Sequence, residues 1–174
     1  VMGKQETYAT PLAPVTLESD ILRTLDEPII APEFATMESF TGTATIVGDA
    51  GLTVEVDADG FGTSANSPSS SVYLATVSRD PASSGLPLEE ISGEVIAMWY
   101  LGNFDSHAEP AWPFSVNDTE LGLVVGEQLE IYLADYEHQE WSPGGTATVD
   151  ESGVLHSDTD AGISLLTTLI LVRP

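Results

Sequence analysis

The chain has 174 residues, enough for one two-layer core but cramped for two, and its 28 acidic against four basic side chains give a formal charge of -24. Such a surface repels phosphate backbones and anionic headgroups, which argues against nucleic acid as a partner and makes cations the natural ones. With no cysteine the chain has no disulfide, no thiolate nucleophile and no cysteine-based metal site.

Residues 1–40 read as an extended N-terminal arm, because Pro11, Pro14, Pro28 and Pro32 interrupt short apolar groups such as Val15-Thr16-Leu17 and Ile29-Ile30. The chain opens on Val1-Met2 with no basic start and no apolar signal core, which reads as a processed mature protein or a cut fragment. The segment from Ser19 to Leu25 reads equally as a short helix ended by Pro28 or as an edge strand. The arm's Leu12, Val15, Leu17 and Ile21 are expected to lie along a sheet edge, which belongs either to the same copy or to a neighbouring one.

From Thr41 onward, short β-branched and aromatic runs alternate with Gly, Pro, Asp and Ser clusters, so residues 41–174 are expected to form one antiparallel β-sandwich of about eight or nine strands. Thr43 to Val47 and Leu52 to Val56 flank Gly48-Asp49-Ala50-Gly51 and predict a hairpin. Leu52, Val54 and Val56 point one way while Thr53 and Glu55 point the other, which predicts a half-buried sheet. Ser71 to Val77 predicts the next strand, Asp80 to Ser92 a surface loop, and the apolar run Val95 to Leu101 a central strand covered on both faces. Further strands are expected at Trp112 to Val116, Gln128 to Tyr136, Gly145 to Val149, Val154 to Ser157 and Ser164 to Val172. The longest apolar tract, Ile163 to Val172, is broken by Ser164, Thr167 and Thr168 and falls short of the ~20 residues of a membrane-spanning helix.

The order of features from Gly51 onward resembles the sandwich modules of ankyrins and netrin receptors and their bacterial secreted relatives. Gly51 to Val56 resembles that family's opening strand, and Ser92 to Ala97 the strand before a glycine-containing turn, here Gly102-Asn103-Phe104. Glu109 to Val116 resembles its aromatic, proline and following strand. Leu129 to Leu133, with Trp141, Gly145, Val149 and Gly153, resembles the next strand, tryptophan and hairpin. The resemblance covers about two thirds of the chain and implies a secreted sandwich. Some members cut their own chain at His-Phe-Ser; His156-Ser157-Asp158 lacks the phenylalanine, which removes the warrant for self-cleavage.

The histidines His107, His138 and His156 are scattered and read as exposed loop residues. Ser157 has His156 and Asp158 as chain neighbours; adjacent strand residues face opposite sides, so Ser157 points away from both and no triad can align, and no Gly-x-Ser-x-Gly elbow occurs. Asp57 with Asp59, and Asp158 with Asp160, carry the alternating carboxylates from which calcium sites are built, although the full twelve-residue loop is absent and Asp-Gly is also a turn former. Among the aromatics, Trp112 and Trp141 are the candidates for a ligand-stacking role.

These features together predict a non-enzymatic, extracellular or cell-surface structural subunit or interaction module. It is expected to self-assemble into a filament, sheath or coat; donation of the N-terminal arm as a strand to a neighbouring copy is one way of joining, and packing of the arm on its own copy is the other reading. The alternative is a calcium-supported adhesion or carbohydrate-binding module, with a carbohydrate or another surface protein as ligand.

Overall fold

The structure is a computed structural model and describes Ala9, residues 31–63 and residues 72–174. Leu12, Val15, Leu17 and Ile21, like the segment from Ser19 to Leu25, lie outside the described residues.

The described chain is all-β. Its strands are β1 (Thr36–Ser39), β2 (Thr43–Val47), β3 (Leu52–Asp57), β4 (Phe61–Gly62), β5 (Tyr73–Ser78), β6 (Glu94–Gly102), β7 (Ser106–Trp112), β8 (Phe114–Val116), β9 (Gln128–Asp135), β10 (Glu140–Val149), β11 (Leu155–Ser157), β12 (Ile163–Leu166) and β13 (Thr168–Arg173). Among the described residues helical turns are confined to short 3-10 pieces such as Pro81–Ser83, Leu88–Glu90 and Thr119–Leu121. No helix among the described residues is long and apolar enough to cross a membrane.

Ten strands form one antiparallel sheet in the order β1-β5-β6-β13-β9-β10-β11-β8-β3-β2, and β12-β7-β4 form a second, small sheet. The large sheet curls until it is nearly barrel-shaped, so the two-sheet sandwich expected from strand spacing is not clearly present. A curled sheet of this kind encloses one core without needing a second full layer. Thr36–Ser39, which the sequence reading places in the arm, pair with β5 as an outer strand of the large sheet.

Alternation builds the core. Leu52, Val54 and Val56 are fully or almost fully buried while Glu55 between them is exposed, as the period of two requires. In β6 the alternation separates two clusters: Ala97, Trp99 and Leu101 face the main core with Leu129, Ile131, Leu133, Leu169 and Leu171. Met98 and Tyr100 join Ile170 and Val172 in a second cluster. The loop after β5 covers that cluster with Leu86, Leu88 and Ile91, so β6 is buried on both faces as its continuous apolar run predicts. Ala9 belongs to the same cluster, is buried, and donates its amide to the Pro32 carbonyl at 2.8 Å. Each fully buried aliphatic side chain contributes about 1.5–3 kcal/mol relative to an exposed one.

Candidate functional site

The acidic pairs singled out in the sequence are built into turns. Asp57 Oδ1 accepts the Asp59 N–H at 3.0 Å just beyond the end of β3. Asp158 Oδ2 accepts from the Thr146 hydroxyl at 2.5 Å and from Gln128 Nε2 at 3.2 Å. The Thr146 hydroxyl, followed by side-chain hydrogen bonds from Thr148 and Gln128, holds the Asp158 carboxyl below its ordinary range despite partial burial. Asp160 sits at φ 64°, in the turn closed by the Ala161 N–H on the Asp158 carbonyl. Among the described residues no group of three or more His, Cys, Asp or Glu side chains converges to hold a metal ion.

The two tryptophans have different surroundings. Trp112 is 2% exposed, stacked on Phe61 with centroids 5.7 Å apart and edge-on to Phe40 at 5.5 Å, so its ring surface is occupied by the core. Trp141 stands in β10 opposite Ala134, partly buried at the margin of the second cluster, with its Nε1 3.4 Å from the Pro87 carbonyl.

Two of the histidines meet carboxylates. His138 Nδ1 lies 2.8 Å from Asp135 Oδ2, and His156 Nε2 lies 3.2 Å from Asp150 Oδ2. The hydrogen bond to Asp135 raises the His138 pKa above its ordinary value. Asp150 is drawn down to about 2, first by the Ser152 hydroxyl, then by backbone N–H groups and His156. Register places Ser115 opposite His156, giving a hydroxyl–imidazole–carboxylate order that chain position did not reveal. No hydrogen bond joins Ser115 to His156 among the described residues, and the Ser157 hydroxyl is engaged by the Phe114 N–H at 3.1 Å.

A different feature stands out at the end of the large sheet. β2 pairs only with β3 among the described residues, and the whole run from Phe40 to Gly48 carries no charge in a chain of net -24. The Gly48 N–H bonds to the Leu52 carbonyl and the Ala58 N–H to the Gly42 carbonyl, which fixes the antiparallel alternation. The backbone groups of Thr43, Thr45 and Val47 therefore point away from β3. Their side chains are exposed, Val47 to 67%, while Ile46 is buried. An edge strand is ordinarily guarded by Lys, Pro or a bulge, and β2 has none of these. The hairpin was legible in the sequence; its position at the sheet's end was not, because that depends on β3 pairing with β8 and β8 with β11.

Compared with known proteins, the chain matches no family model, no curated protein and no solved structure.

Proposed function

We propose that this chain is a non-catalytic interaction module of an extracellular or cell-surface assembly, a filament, sheath or coat, and that copies join through the edge of β2. The observation that carries the reading is the uncharged, unguarded edge strand at the end of the ten-stranded sheet. Strand addition supplies backbone hydrogen bonds along such an edge, and alternate side chains such as Val47 supply apolar contact. A second copy is the partner that this edge fits, because two chains of net -24 approach at least cost where neither carries charge. The acidic composition and the resemblance to secreted sandwich modules support the location.

Sedimentation velocity over a wide concentration range tests it. Wild-type protein is expected to self-associate, more strongly in molar salt, whereas Thr45→Lys on the open edge stays monomeric with an unchanged β spectrum. A wild-type monomer at every concentration and salt level sinks the proposal.

A further inference from the structure

The loop between β8 and β9 ends in a turn whose outward side chains are both valine. Val124 is 66% and Val125 58% exposed. The Glu127 N–H closes the turn on the Val124 carbonyl at 2.8 Å, and Gly126 takes its third position at φ 80°, as a type II turn requires. Glu127 then holds the tip from both sides: Oε2 accepts the Val124 N–H at 2.9 Å and Oε1 accepts from Arg173 Nε at 2.5 Å. The Gly126 N–H on the Val149 carbonyl and the Val149 N–H on the Glu127 carbonyl, each 2.9 Å, fasten the turn to the end of β10. Valine has few rotamers, so this apolar tip is in place before any partner arrives, and little conformational entropy is lost on binding.

Its surroundings are acidic. The Val149 link sets the turn that begins at Asp150 beside the valines, with Glu151 exposed, and Asp118 and Glu120 stand on the 3-10 turn that leads into the loop. Arg173, the cation that holds the tip, is engaged by Glu127 and Glu94. A second copy would bring the same neighbouring carboxylates against these. We propose that the Val124–Val125 turn anchors a different protein, one presenting a concave apolar pocket rimmed by lysine and arginine. The valines supply the desolvated centre that carries most of the affinity, and the carboxylates steer the encounter and set its orientation.

Peptides selected from a random phage-displayed library on the immobilised full chain test this. The selected pool is expected to pair apolar residues with an excess of Lys and Arg, to bind more weakly as salt rises, and to lose about tenfold or more in affinity for the V124S/V125S double variant. That variant, altered only at exposed positions, is expected to melt as wild type does, and T45K on β2 is expected to bind the pool normally. A library that yields no binders, a pool indifferent to V124S/V125S, a pool without basic excess, or one lost with T45K overturns the proposal.

Discussion

Ser78 donates twice to one carboxylate oxygen of Asp49, from its backbone N–H at 2.7 Å and from its hydroxyl at 2.8 Å. These bonds run from the β2–β3 hairpin, at one end of the ten-stranded sheet, to β5, the strand next to its other end. The Asp49 N–H adds a bond to the Thr76 hydroxyl at 2.7 Å, and Trp99 Nε1 donates to the Asp49 carbonyl at 3.0 Å. The approach is close: a Cβ on Gly48 would lie 2.8 Å from Thr76 Oγ1. Asp49 thus ties the tip of the β2–β3 hairpin to β5 across the seam between the sheet's two ends, leaving the edge at Thr43, Thr45 and Val47 open.

Replacing Asp49 with Ala removes the charged acceptor and strands the Ser78 donors, and hydrogen bonds to charged groups contribute about 1.5–3 kcal/mol each. The two bonds share one oxygen and are not additive, so Asp49→Ala is expected to cost about 2–3 kcal/mol in all. Urea unfolding checks it. A midpoint that does not move shows that the seam is held elsewhere.

Trp112 and Trp141 are expected to part company on truncation. Trp112→Ala empties the space beside Phe40 and Phe61 and should destabilise by about 3–5 kcal/mol. Trp141→Ala, at the margin of the second cluster, should cost about 1–2 kcal/mol. Equal losses in denaturant unfolding would contradict the burial difference.

Much of this fold is local and was therefore legible: the alternation of Leu52, Val54 and Val56, the hairpin at Gly48 to Gly51 and the doubly covered β6 all appear in the sequence pattern. β7 did not, because Glu109 and Pro110 break its period although it is the middle strand of the small sheet. The run Ser164 to Val172 looked like one strand, yet Thr167 separates β12 from β13 and the two lie in different sheets. β10 begins at Glu140, earlier than expected, with a register shift between Pro143 and Gly145 that admits a proline into the ladder. Trp112 as a core residue depends on Phe40, far away in the chain. Similarly, β1 depends on pairing with residues 73–76. No local pattern announces such partners, and the open edge of β2 is of the same kind.

Salt should stabilise the protein, because -24 on a chain of 174 residues is repulsive and screening weakens that repulsion. The melting temperature is expected to rise from dilute buffer to molar sodium chloride. Calcium at constant ionic strength separates screening from binding: if the Asp57/Asp59 or Asp158/Asp160 turns take the ion, melting rises further, and Asp57→Asn or Asp158→Asn reduces the gain. Identical melting with calcium and with chelator would reject calcium binding.

Acid acts in two opposite ways, and the pH at which they cross is the last prediction. Falling pH toward the pI of about 4.1 neutralises carboxylates and relieves the repulsion, which favours the folded state. His138 acts in the same direction: its folded pKa is raised by Asp135, so its contribution is full below the unfolded value and fades as pH rises through the folded one. His138 is exposed and its interaction screened, so this part is small. Asp150 acts the other way. Its folded pKa is about 2 against an ordinary 3.8, so its contribution is full above the unfolded value and is lost as pH falls through the folded one. Asp158, also lowered, loses its contribution in the same sense. Stability is therefore expected to rise from neutral pH to a maximum just above pH ~4 and to fall between ~4 and ~2. Asp150→Asn cannot take part in the acid limb, so it should melt below wild type at neutral pH and converge with it near pH ~2. Thermal melts of the two proteins across that range decide it. A difference between them that is the same at both ends would show that Asp150 acts through shape and not through its charge.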